Sequence, residues 1–142
     1  MKKIDFYNKL LESNKFCESL GRLLLLSGKL ESILKEIILS SDLDKKTSIK
    51  RATFGYLVKL CTDNNLIHKD LHSPFSFVVD RRNYLTHNLY PLFNEEIDVS
   101  YLPRENLSID DVDGYFSRCV TDLISDVNFL ISQLCESENH YL

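Results

Sequence analysis

A chain of 142 residues with 44% hydrophobic content is long enough to bury one core and too short to need a second domain. Its net charge of −4 argues against indiscriminate nucleic-acid binding, which shows as a basic excess. The charge is unevenly placed, since residues 1–71 hold 13 Lys and Arg against 9 Asp and Glu while residues 72–142 hold 4 against 12.

The longest apolar run, Leu23 to Leu26, falls far short of the roughly 20 residues of a membrane span. Lys2 and Lys3 are not followed by the apolar stretch of a secretory signal. A soluble, cytoplasmic protein without a membrane partner is the expectation. Cys17, Cys61, Cys119 and Cys135 form no C-x-x-C pair and match no zinc spacing, and the first three fall in helical patterns. They read as buried free thiols rather than bridges or ligands.

The first helix is expected from about Phe6 or Asn14 to Ser40. Leu20, Leu23, Leu30, Leu34 and Ile37 share one side, and Leu24, Leu26, Ile33 and Ile38 widen the stripe. Gly21 and Gly28 weaken it by about 1 kcal/mol each relative to Ala, so they either mark a close approach of another backbone or are simply tolerated. The polar stretch SSDLDKKTS ends the pattern. A second helix is expected from Lys50 to Asp63, with Phe54, Leu57, Val58 and Cys61 inward, ending at Asn64 and Asn65.

Ser73 as N-cap with Pro74 at the first helical position opens the third helix. It stops near Asn88, because the residue before Pro91 is pushed out of helical geometry. A loop through Asn94, Asp98, Pro103 and Asn106 leads to Ser108, the expected cap of the last helix, with Asp110 and Asp111 in its first turn. Its apolar face is Val112, Phe116, Val120, Leu123, Val127, Leu130, Ile131 and Leu134. IDVSYL is the nearest approach to a strand and is short. The expected architecture is all-α, an up-and-down four-helix bundle.

One charge contradicts the pattern that surrounds it. On the third helix the apolar stripe runs Phe75, Val78, Leu85 and Leu89, and Arg82 occupies the position between Val78 and Leu85. His87 shares a different face with Val79, Asn83 and Tyr90. A cation, an amide and an imidazole on one helix are groups that phosphate chemistry uses.

The segment Arg82-Asn83-Tyr84-Leu85-Thr86-His87 is an R-N-x-x-x-H pattern, and in its place on the third helix of a bundle it resembles the HEPN superfamily of ribonucleases. The resemblance implies metal-independent RNA cleavage, with no cofactor: Arg82 stabilises the scissile phosphate, and His87 assists attack by the 2′-hydroxyl, leaving a cyclic phosphate and a 5′-hydroxyl. Guanidinium grips phosphate oxygens bidentately, and imidazole titrates near neutral pH. Asn83, four residues before His87, is expected to orient its ring, and Arg81 to help position phosphate.

Five residues of α-helix amount to about 7.5 Å of rise and about 140° of rotation, so Arg82 and His87 converge only loosely. A composite site follows, two copies pooling their Arg/His pairs through the third helix across a two-fold axis. The partners implied are RNA, a second copy and an antitoxin or other regulator, in a toxin–antitoxin or phage-defence setting. One branch of the family is controlled by modification of a tyrosine two residues after the histidine; here Leu89 holds that position and Tyr90 comes one later.

The competing readings are structural. Arg82 could pair with Asp80 or with a carboxylate on another helix, and the chain could be a catalytically silent bundle of the same superfamily that binds a protein or a small ligand. His68 and His72, with Asp70 between them, have zinc-compatible spacing but precede Ser73 and Pro74, where no regular helix is expected. The cluster Asp110, Asp111 and Asp113 suits a helix dipole better than magnesium.

Overall fold

The computed structural model describes residues 4–41, 43, 49–88 and 110–139, and every regular element among them is helical. The first expected helix is two. α1 spans Ile4–Glu12 and α2 spans Asn14–Ser40. Ser13 separates them because its backbone is extended and its Oγ accepts from the Phe16 N–H at 3.1 Å, which satisfies one of the free donors that open α2.

α2 buries Phe16, Ser19, Leu23, Ser27, Leu30, Leu34 and Ile38. These steps of three and four residues make a seam, and Leu20, Leu26, Ile33 and Ile37 pack partly buried beside it as expected; of the expected stripe only Leu24 is exposed. The close approach considered for Gly21 and Gly28 is not made among the described residues, where a Cβ added at either would meet no atom within 4 Å.

α3 spans Phe54–Asp63, starting four residues later than expected because Thr53 Oγ1 accepts from the Tyr56 N–H at 3.2 Å and so caps it. Phe54, Leu57, Val58 and Cys61 are its buried face. It ends as expected at Asn64 and Asn65. Asn65 takes φ 55°, and the Leu66 N–H bonds to the Cys61 carbonyl at 2.9 Å, a Schellman ending with asparagine in the left-handed position.

A 3₁₀ turn, Lys69–Leu71, leads directly into α4, His72–Asn83. The expected Ser73 cap is therefore not made: Ser73 is already inside the helix, the position before it is supplied by the 3₁₀ turn, and Pro74 sits in the first turn, where a missing N–H costs little. A single π turn, Tyr84–Asn88, continues α4.

α5 spans Val112–Asn139, with Asp111 accepting from the Tyr115 N–H at its start and Asp113 in its first turn. Asp110 and Asp111 form the preceding turn rather than the first helical turn. Ser108, IDVSYL and the loop from Asn94 to Asn106 lie outside the described residues. All eight residues assigned to the apolar face of α5 are buried.

α2 packs along α5, and α4 lies on α5 as well; α3 sits against α2 and α4, and α1 against α2 and α5. One core results, with Phe54, Phe75 and Phe116 its largest fully buried side chains. The four thiols are free, and only Cys61 is buried; Cys17 and Cys135 are exposed and Cys119 is half-buried, so burial accounts for one of the three expected. Among the described residues no helix is long and apolar enough to cross a membrane.

Candidate functional site

α4 places Phe75 and Val78 in the core, and Leu85 follows them one turn beyond Arg82. Arg82 stands between them, its side chain 20% exposed. Nη1 donates to Asn83 Oδ1 at 3.2 Å, and Nη2 lies 3.8 Å from Oε1 of Glu31 on α2. The second distance exceeds a hydrogen bond, so the contact is a Coulombic one between half-buried groups. Nε is buried and has no partner among the described residues. The carboxylate beside Arg82 is thus on another helix, while Asp80 is exposed and lines a different groove.

The helix changes pitch immediately after Asn83. In the π turn Tyr84–Asn88 backbone bonds run from i to i+5 instead of i to i+4, so residues five apart are drawn toward one side. The 140° of divergence calculated for a regular helix therefore overstates the separation of Arg82 and His87. Within the turn, Thr86 Oγ1 donates to the Arg82 carbonyl at 2.9 Å.

His87 is exposed and stands at the edge of a cavity of about 170 Å³. Tyr7, Leu10 and Leu11 of α1 and Phe16, Cys17 and Leu20 of α2 form the opposite wall. The orienting role expected of Asn83 has a different object: its amide oxygen holds Arg82, not His87. Arg81 is exposed and lies over the Phe77 ring at 4.9 Å, a cation–π contact that leaves its donors facing water. Of the predicted residues, Arg82 and Asn83 are brought together, and His87 and Arg81 flank them without a bond to either among the described residues. Leu89 and Tyr90 lie outside the described residues.

Behind the turn, Tyr84 and Cys119 join α4 to α5. Burial raises the Tyr84 phenol, Cys119 and Tyr115 raise it further, and Arg81 lowers it. Burial likewise raises the Cys119 thiol, against a hydrogen bond with Tyr115.

The two other described histidines, His68 and His72, do not line this site. His68 Nδ1 accepts from the Asp70 N–H at 3.1 Å and lies 3.4 Å from the Asp70 carboxylate, both on an exposed surface. His72 turns into a groove of about 450 Å³ between α3 and α4, near Lys59, Asp63 and Asp80, with Nε2 buried and unbonded among the described residues. No group of three His, Cys, Asp or Glu able to hold a metal ion occurs among the described residues.

Glu31 and Thr86 are the participants that the sequence did not disclose. Glu31 carries no local signal, since it meets Arg82 only in the tertiary fold, where α3 and α5 each pack on both α2 and α4. Thr86 is visible only as one of the unspecified positions of the motif. No family model, curated protein or solved structure matches this chain.

Proposed function

We propose that this chain is a metal-independent endoribonuclease of HEPN type, the toxin of a toxin–antitoxin or phage-defence system, acting as a homodimer whose α4 ends pool their Arg82 and His87 pairs. The observation that carries the reading is a guanidinium held half-buried on a core-facing stripe, with a buried Nε and no bonded partner for it among the described residues, one π turn before an exposed imidazole. Buried unpaired donors are uncommon and call for an explanation, and a phosphate oxygen is an acceptor that guanidinium prefers.

In the proposed reaction neutral His87 takes the proton of a 2′-hydroxyl. The oxygen attacks the adjacent phosphorus, the bond to the 5′-oxygen breaks, and that oxygen leaves with a proton from the imidazolium of the second copy. A 2′,3′-cyclic phosphate and a 5′-hydroxyl result. Arg82 acts on the charge that grows on the non-bridging oxygens, where a preformed donor acts most strongly, and Asn83 holds the guanidinium in place. Arg81 supplies a peripheral cation for the flanking phosphate.

Incubation of RNA with the wild type, Arg82→Ala and His87→Ala in EDTA, followed by end-group analysis, tests this. Cleavage with cyclic phosphate ends by the wild type alone is expected; dependence on a divalent metal, or intact RNA with folded protein, refutes it. A second reading has its own observation. Nη1 is taken by Asn83 and Nη2 faces Glu31, an arrangement that also suits a catalytically silent bundle binding a protein or small ligand. On that reading His87→Ala changes nothing.

A further inference from the structure

α2 carries an apolar face that no described residue covers. Gly21, Leu24, Leu25 and Gly28 fall within about 100° of arc on a helix. Leu24 and Leu25 are exposed, the latter at 78%, and the space around both glycines is open. Glycine weakens a helix interior relative to alanine, and packing among the described residues supplies no reason for either one. Two adjacent exposed leucines between two such glycines are a patch rather than scattered surface.

The four positions read alike in both directions, since Gly21 and Gly28 are equidistant from the step between Leu24 and Leu25. A two-fold axis at that step, relating two antiparallel helices, sets Gly21 against Gly28 of the second copy and Leu24 against Leu25. The same patch then serves on both subunits, as a two-fold contact requires, and the glycines let the backbones approach. Glu18 and Lys29, both exposed, lie on one flank of this face. In the antiparallel register each Glu18 comes within two residues, about 3 Å of axial rise, of Lys29 in the other copy, so the ion pair forms twice. Arg22 is on the same flank but farther round, away from the contact. A parallel pairing turns that flank toward the opposite one and loses both pairs.

We propose that this face of α2 docks a second copy of the chain, antiparallel, across a two-fold axis at the Leu24–Leu25 step. Cys17 and Leu20, in the wall of the His87 cavity, and Glu31, beside Arg82, border the same face. Position 31 of one copy then stands level with position 18 of the other, on the flank of Cys17 and Leu20 rather than that of Glu18, which carries each Arg82 toward the cavity edged by the other copy's His87. The docking itself rests on α2 and holds whether or not the chain cleaves RNA.

Light scattering at micromolar concentration tests it on the full chain. The wild type is expected as a dimer and Leu25→Glu as a monomer with unchanged circular dichroism, because Leu25 is outside the core. Glu18→Lys is expected to lose the dimer at low salt and Glu18→Lys with Lys29→Glu to recover it. A monomeric wild type, or a Leu25→Glu chain that stays dimeric, overturns the proposal; failure of the double exchange to recover the dimer overturns its antiparallel register. The EDTA cleavage assay is scored separately, so loss of one conclusion is distinguishable from loss of the other.

Discussion

Nη2 of Arg82 lies 3.8 Å from Oε1 of Glu31, with the two side chains 20% and 23% exposed. The separation leaves room for the guanidinium to turn toward another anion, and the partial burial strengthens whichever one it meets. Glu31 therefore holds the place that a phosphate takes in the ribonuclease reading. A carboxylate there keeps the arginine ordered in the absence of substrate.

If the pair is a placeholder, its coupling is small. A double-mutant cycle with Arg82→Leu and Glu31→Leu is expected to give at most about 1 kcal/mol, the range of partly solvated ion pairs. Arg82→Leu alone should be neutral or stabilising in thermal melts, as when other half-buried charges are replaced by apolar groups of similar volume. A loss of about 3 kcal/mol or more would make Arg82 a structural ion-pair partner and remove the main argument for a phosphate site. Glu31→Gln should tighten RNA binding measured by fluorescence anisotropy, because it removes the competing anion.

Thr86 provides a separate test of the π turn. Its hydroxyl bonds to the Arg82 carbonyl at 2.9 Å, and Thr86→Ala removes that bond at a cost of about 0.5–1.5 kcal/mol. Faster amide exchange over residues 84–88 and slower RNA cleavage are expected, with the overall melt little changed. Unaltered exchange there would mean that the backbone holds the turn without Thr86.

Two phenylalanines two positions apart have opposite fates: Phe75 is 0% exposed and Phe77 is 47% exposed. Phe75→Ala should cost about 3–5 kcal/mol by denaturant unfolding, the usual value for a core aromatic. Phe77→Ala forfeits only its contact with Arg81, about 0.5–1 kcal/mol. Equal losses at the two positions would contradict the orientation of α4.

That orientation was legible in the sequence because core-facing periodicity is a property of one helix. The same holds for α5, whose eight apolar positions from Val112 to Leu134 are all buried. Helix starts were less legible. Ser13 and Thr53 cap helices where the apolar pattern already reads as continuous, and at Ser73 a good cap-and-proline signal is overridden by the 3₁₀ turn that runs into His72. Within the candidate site Arg82 stood out locally as a charge in an apolar row. Glu31, 51 positions earlier in the chain, did not, since only tertiary packing brings it near. No residue pattern announces an i to i+5 turn.

Cys61 links stability to alkaline pH. Burial raises its thiol from 9.0 to about 11, because a thiolate in the core loses its hydration and gains nothing in return. The unfolded thiol ionises first, so between these values the unfolded state binds fewer protons and the folded state is progressively disfavoured. The stabilisation is complete below about pH 9 and is lost by about pH 11, amounting to roughly 2–3 kcal/mol at its limit. Other groups titrate in this window, Tyr84 among those raised by burial, so the measurement is a difference between chains. Urea unfolding of the wild type and Cys61→Ala from pH 8 to pH 11 should show the wild type losing more stability, the gap opening only above pH 9. Parallel pH profiles would mean that the Cys61 thiol does not titrate with folding. The same burial makes Cys61 unreactive toward thiol reagents until the chain unfolds, whereas Cys135, exposed in the folded protein, should react at once.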